Sequence, residues 1–344
     1  MSTLRRLMFT AAAVVAGILP TVSSAQSVTR TMKAVVIHEY GGPEVLKYED
    51  VPQPEPKQNE LLIRVIAAGV NPVDGMIRSG MFDKEGHRAF PIILGGDISG
   101  VVEKVGSKIS KFKSGDPVFA YVSLENSGGY AQYALVTERE AAPKPKSLTY
   151  VEAAAVPIVA LTAWQALIDA GKLKAGQTVL IHGGSGGVGS FAIQIAKAHG
   201  AKVIATASTA NQELLKQLGA DVAIDYTKQN FENIAKDVDV VLDSIGKDTL
   251  ARSYGVVKKG GIIVSLVARP DPAELEKHGI RGEGLSVDPN SDELGEIGRL
   301  IDEKKINVIV SQTLPLSEAR KAEEQVATGH TRGKIVLKVA DEPK

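Results

Sequence analysis

The sequence predicts an α/β protein in which an irregular β-rich part precedes a doubly wound parallel sheet. Three observations predict it. Near Val151 the rhythm changes from strands and turns to strands alternating with helical stretches of roughly 10–15 residues. A glycine-rich run, VLIHGGSGGVG at 179–189, sits between a strand and a helix. The chain has 344 residues and is 44% hydrophobic, enough for two packed domains of roughly 100–200 residues each.

In the first part, 33–38, 61–68 and 100–105 are apolar or β-branched runs. Breakers separate them: Gly41-Gly42-Pro43, the proline-rich 52–56, Gly95-Gly96 and Gly115-Asp116-Pro117. Apolar spacing predicts a helix over 152–167. Strands follow at 178–182, 202–207, 220–224, 239–243 and 262–267. Helices are expected at 188–198, 212–218, 249–257 and 294–302. Residues 306–310 and 334–339 return to β character and are expected to fold back onto the first part.

Lys and Arg number 40 and Asp and Glu 40, so the formal charge is zero. That balance argues against nucleic-acid partners and stable membrane anchoring. The absence of Cys excludes disulfides, thiolate zinc sites, iron–sulfur clusters and a cysteine nucleophile.

Residues 1–25 read as a signal peptide. Arg5-Arg6 is followed by Leu7-Met8-Phe9, then a short Ala-rich apolar stretch, then Ser23-Ser24-Ala25. The paired arginines suggest twin-arginine export to the periplasm. Cleavage after Ala25 removes both arginines and no acid, leaving the chain slightly acidic. The alternative is a cytoplasmic protein whose translation starts at Met32.

The glycine run contains G-x-G-x-x-G as Gly184, Gly186 and Gly189. Glycines there allow a tight turn and close approach of backbone to a pyrophosphate, and the helix N-terminus offers free N–H groups. The candidate cradle is Gly184, Ser185, Gly186, Gly187, Val188 and Gly189. An NAD site places an acid about 20 residues past the glycines, on the ribose 2′-hydroxyl. Here the next strand runs into Ala205-Thr206-Ala207-Ser208-Thr209, without an acid. Ser208 can donate to a 2′-phosphate, which favours NADP(H), and it can equally cap the following helix.

The segments AAGVNPVD (67–74), PIILGGDISGVV (91–102), Gly115-Asp116, GGYAQY (128–133), Leu161-Thr162-Ala163, the glycine run and GHTRGKIVL (329–337) occur in this order. Together they resemble the medium-chain dehydrogenase/reductase superfamily, and within it the zinc-free quinone oxidoreductase-like branch that includes 2-alkenal reductases. The resemblance spans about 32–340. It implies a GroES-like β-barrel domain over 28–156 and 306–344, and a Rossmann domain over 157–305, with the active-site cleft between them. It implies hydride transfer from NADPH to a quinone or an α,β-unsaturated carbonyl. Zinc members carry Cys where Asn71 stands and a His-Glu pair where Gly96-Asp97 stands, so no metal is expected. Enoyl reductases of the superfamily carry a proton-donating Tyr where Phe82 stands.

Candidate catalytic residues are Asn71 and Tyr130, as donors to the acceptor oxygen, with Asp74 beside them. Each has a plainer reading: Asn71 as a turn residue before Pro72, Tyr130 as a half-buried strand aromatic, Asp74 as a helix N-cap. The resemblance places Thr162 at the nicotinamide end. Asp243 to Gly246, and Ser265, Leu266 and Val267, follow strand ends where ribose and carboxamide would lie. Tyr226 could border the adenosine phosphate. Arg332 and Lys334 could complement phosphate charge, or form a solvated basic pair. His182 reads as a satisfied core histidine and Trp164 as core packing.

The alternative function is an exported dinucleotide-binding protein with little turnover. The family is commonly dimeric, and the stretch 285–287 is a candidate edge strand for a homodimer.

Overall fold

The computed structural model describes residues 30–343 apart from 84 and 124–127, so the proposed signal segment lies outside the described residues. Six parallel strands form one sheet, in the spatial order Val222–Asp225, Lys202–Ala207, Thr178–Ile181, Val238–Asp243, Val257–Ser265 and Arg281–Gly284. Numbered along the chain that order is 3-2-1-4-5-6. Strand order reverses beside Thr178–Ile181, where open α/β sheets bind ligands at their carboxyl ends.

Alternation explains the two-sided burial. Val179, Ile181, Val240, Leu242, Ile262 and Val264 point to one face, with Phe191, Ile193 and Ile195 of helix Gly187–Ala198. Leu180, Val241, Ile263, Ile204 and Ile224 point to the other, with Leu250, Tyr254 and Phe231. Side chains alternate faces along a strand, so a run without polar residues is what burial on both sides requires.

A seven-stranded sheet is centred on Leu61–Gly69, which pairs antiparallel with Asp97–Val105, Tyr133–Val136 and Lys334–Lys338. A small sheet of Lys47–Pro52, Thr31–Ile37 and Ile92–Ile93 lies beside it. Val310–Pro315 joins through Lys334–Lys338, so the C-terminal residues complete the N-terminal sheet.

Several elements differ from expectation. The helix over 152–167 is two helices, Tyr150–Ala154 and Pro157–Trp164, followed by a π-helical stretch Gln165–Ala170. Pro157 has no N–H to continue the first helix, and it opens the second. The β segment at 306–310 begins instead at Val310, because Ile306 is committed to the core. The edge strand is Arg281–Gly284; Leu285 and Val287 follow it and pack against the core.

Gly100 sits where the register between Leu61–Gly69 and Asp97–Val105 slips, and a Cβ there would lie 2.2 Å from the Arg64 carbonyl oxygen. Gly100→Ala should therefore lower the unfolding free energy by about 2 kcal/mol, within the range of overpacked cores. Urea unfolding measures this, and an unchanged midpoint would contradict it.

Candidate functional site

A cleft of about 650 Å³ runs between the two sheets, along the glycine loop. The loop forms one wall with Gly183, Ser185, Gly186, Gly187, Val188 and Gly189. Its three motif glycines do different jobs. A Cβ on Gly184 would lie 2.8 Å from Leu215 Cδ2, and one on Gly189 would lie 2.2 Å from the Gly183 carbonyl oxygen. Both are therefore required by packing within the protein, and Gly184 faces the core rather than the cleft. Gly186 has no such neighbour closer than 3.5 Å, so its bare backbone leaves room on the cleft side. Helix Gly187–Ala198 begins there without a side-chain cap. Its first N–H groups have no intrahelical acceptor and carry the positive end of the helix dipole. A dinucleotide pyrophosphate fits this cradle.

The far end of the cleft is lined by Ser208, Asn211 and the exposed Tyr226, and Arg332 lies along the same cleft. Ser208 precedes the turn Thr209–Asn211, and its Oγ accepts from Asn211 Nδ2 at 3.3 Å. The nearby acid, Asp225, is turned away: it accepts from Thr209 Oγ1 at 2.6 Å and Thr227 Oγ1 at 2.6 Å. Those hydroxyls hold its carboxyl down at about 2.

At the near end stands Asn71. The residue before a proline is driven into extended backbone, and Asn71 adopts φ −131°, ψ 152° before helix Pro72–Arg78. Its side chain meets two buried charges. Nδ2 donates to Asp97 Oδ2 at 2.8 Å, and Oδ1 accepts from Lys334 Nζ. Lys334 Nζ also donates to Asp97 Oδ2 at 3.0 Å and to the Val70 carbonyl at 2.9 Å. Asp97 Oδ1 accepts from Ile158 N at 2.7 Å, capping helix Pro157–Trp164. Asp97 thus ties four segments together.

Below Asn71 lies a second buried group. Asp74 Oδ2 accepts from Asn71 N and from Tyr130 Oη, each at 2.8 Å. Oδ1 of Asp74 has no hydrogen-bond partner among the described residues. Burial, reinforced by the carboxylate of Glu323, pushes Asp74 up to about 7. Glu323 is itself raised by burial while it accepts from Arg78 Nε at 2.6 Å.

These contacts correct several sequence expectations. Tyr130 is fully buried in the core of the β-rich part, with its hydroxyl spent on Asp74, so it does not face an acceptor. Asp74 is not the N-cap: Asn71 is, and the Asp74 carboxylate reaches back to the cap N–H. Thr162 is buried and donates from Oγ1 to the Ile158 carbonyl at 2.7 Å; Val159, one turn earlier, lines the cleft. Asp243 accepts from Ile245 N, Gly246 N and Ser265 Oγ, so Asp243 and Ser265 satisfy each other and shape a turn. Ser244 and Ile245 reach the cleft instead. Leu266 packs against the core and Val267 points to solvent. Lys334, expected at a phosphate or in solvent, is 4% exposed and bound to Asp97. His182 is a core histidine, held between Thr206 and Ser253 hydroxyls and lowered by burial to about 4.

Asp97 was absent from the sequence-derived candidates. Its signal was an acid inside an otherwise small and apolar run, LGGDISG. Among the described residues, no group of three or more His, Asp or Glu stands together to hold a metal. No described helix is long and apolar enough to cross a membrane.

Residues 57–146 match the alcohol dehydrogenase GroES-like domain, and residues 218–337 match a family described as zinc-binding dehydrogenase. The chain is 39% identical to the NADPH-dependent alkenal/one oxidoreductase of Arabidopsis thaliana, over 92% of this chain and 82% of that protein. It is 38% identical to 2-methylene-furan-3-one reductase of Solanum lycopersicum, over 92% and 81%. The solved quinone oxidoreductase from Coxiella burnetii superposes with a TM-score of 0.84 at 38% identity, covering 90% of this chain and all of that one. The chain therefore belongs to the medium-chain dehydrogenase/reductase superfamily, in its quinone oxidoreductase-like branch.

The raised carboxyl of Asp74 has a defined effect on stability. Its folded pKa lies above the unfolded value of roughly 3.9, so its stabilising contribution is complete below that value and is lost as pH rises through about 7. Asp74→Asn removes this titration. Between pH 5 and 8 the variant should lose less thermal stability than the parent, by about 3 °C or more in Tm. Parallel Tm-versus-pH curves would contradict it.

Proposed function

We propose that the protein is an NADP(H)-dependent oxidoreductase that reduces quinones or α,β-unsaturated carbonyl compounds without a metal. The observation that carries the reading is the shared cleft: an uncapped helix N-terminus on one wall and the Asn71 amide on the other. The relatives' names supply the substrate class, since each describes a carbonyl conjugated to a C=C bond or a quinone.

Bound NADPH supplies a hydride from its nicotinamide C4. On this reading the glycine loop holds the pyrophosphate, and Val159 and Ile245 wall the nicotinamide end. Ser208, Asn211, Tyr226 and Arg332 bind the 2′-phosphate end, where no free carboxylate repels it. The hydride adds to the β-carbon or quinone ring, the electron pair moves to the acceptor oxygen, and Asn71 Nδ2 donates a hydrogen bond to that oxygen. Water then delivers the proton, to the α-carbon of the enolate from an enone or to the oxygen of the reduced quinone. A well-placed donor of this kind supplies about 3–4 kcal/mol.

The metal-free reading is supported by the groups present: an amide, an ammonium and one carboxylate offer a poor zinc donor set. Export is supported by the pattern of residues 1–25, and a mature N-terminus at Gln26 would be its evidence. Dimerisation through the edge strand Arg281–Gly284 is supported by its pairing on one side only.

Purified protein should oxidise NADPH with a 9,10-quinone or a 2-alkenal and leave a saturated aldehyde unreacted, followed at 340 nm. NADPH binding without turnover on any acceptor would favour the binding-protein alternative. Ser208→Asp places a carboxylate at the 2′-phosphate end. It should shift kcat/KM toward NADH over NADPH by about 10-fold or more, equivalent to roughly 1.4 kcal/mol. An unchanged ratio would place the 2′-phosphate elsewhere.

A further inference from the structure

An asparagine amide has two ends of similar shape and opposite chemistry, and here its neighbours decide which end faces where. Lys334 Nζ has only protons to give, and the Asp97 carboxylate has only lone pairs. The Asn71 oxygen therefore faces Lys334 and the nitrogen faces Asp97, 2.8 Å away. The Asn71 nitrogen carries two protons, and Asp97 takes one. The second makes no hydrogen bond among the described residues, and Asn71 lines the cleft.

We infer that, given Asn71 as the donor to the acceptor oxygen, Lys334 is the positioning residue that sets the direction and strength of that donor. The ammonium makes three hydrogen bonds, to the Val70 carbonyl, Asn71 Oδ1 and Asp97 Oδ2. All three of its protons are spent, so it acts on the acceptor through the amide. It does so in two ways. It fixes the amide with its nitrogen toward Asp97, leaving one N–H free. A cation on the amide oxygen also draws electron density from the nitrogen, which makes the remaining N–H a stronger donor. Lys334 is 4% exposed, so water competes little with either effect.

The turn that delivers Lys334 is tied to the cofactor loop. Gly333 N donates to the Ser185 carbonyl at 2.9 Å, and Gly333 adopts φ +64° against the Ile309 carbonyl, where a Cβ would lie 2.4 Å away. The Lys334 stem passes over Gly187, whose added Cβ would lie 3.2 Å from Lys334 Cδ. The lysine thus registers the Asn71 amide against the same loop that is expected to hold the dinucleotide.

The test is a double-mutant cycle on the purified protein, reading kcat, KM and NADPH affinity with a 9,10-quinone and a 2-alkenal. Lys334→Met should lower kcat by about 10-fold or more while NADPH affinity stays within about 3-fold. Asn71→Ala/Lys334→Met should be no slower than Asn71→Ala alone, because the effect of the lysine runs through the amide. Lys334→Met leaves the Asp97 carboxylate unpaired in the core, so Asp97→Asn/Lys334→Met is measured beside it. That pair removes both charges, keeps an acceptor for Ile158 N–H, and should show the same loss in kcat. A parental kcat in either lysine variant, or losses that multiply in the Asn71 double variant, would overturn the role of Lys334 and leave Asn71 as the donor. A parental kcat in Asn71→Ala would instead remove the donor reading, and the role of Lys334 with it.

Discussion

The structure depends on one buried carboxylate. Asp97 accepts from the amide of Asn71, the ammonium of Lys334 and the backbone of Ile158. Those three groups come from the start of helix Pro72–Arg78, from the C-terminal strand, and from the helix that enters the nucleotide-binding half. A carboxylate in such a place is costly unless paired and fully hydrogen-bonded. The return of the C-terminal strand to the N-terminal sheet supplies the pairing charge. Because three segments must converge to satisfy one charge, the cleft has a fixed near wall.

The opposite wall is built from backbone. The two glycines that pack against Leu215 and the Gly183 carbonyl hold the loop close to the sheet, and Gly186 leaves its cleft side bare. The Gly333–Ser185 hydrogen bond joins this wall to the turn carrying Lys334. Binding on the loop and polarity at Asn71 are thereby held in one frame, the arrangement hydride transfer between bound partners needs.

Much of this was legible in the sequence where local rules govern. Five of the six strands read from apolar runs, because a sheet covered on both faces admits little polar alternation; the sixth, Arg281–Gly284, is a polar edge strand and gave no such signal. The glycine loop read from spacing in its strand–helix context. What was not legible depended on direction. Tyr130 and Asp74 lie in the right segments, yet they face each other beneath the site instead of facing the cleft. Asp243 and Ser265 are the last residues of their strands, and they bond to each other. Lys334 reads from the sequence as a phosphate-facing or solvated cation because its partner, Asp97, lies 237 residues away and joins it only through sheet pairing. Sequence spacing locates a residue on an element, and the tertiary partner decides what its polar atoms do.

The most direct test of this account is hydride transfer in a single turnover, with the protein in excess over NADPH and a 9,10-quinone as acceptor. The decay at 340 nm would be compared between the parent and Asn71→Ala, with NADPH affinity measured separately. The account predicts a transfer step slowed by about 10²-fold, with affinity for NADPH retained. An unchanged transfer rate would contradict it, and would mean that the Asp97-centred cluster holds the fold without acting on the acceptor.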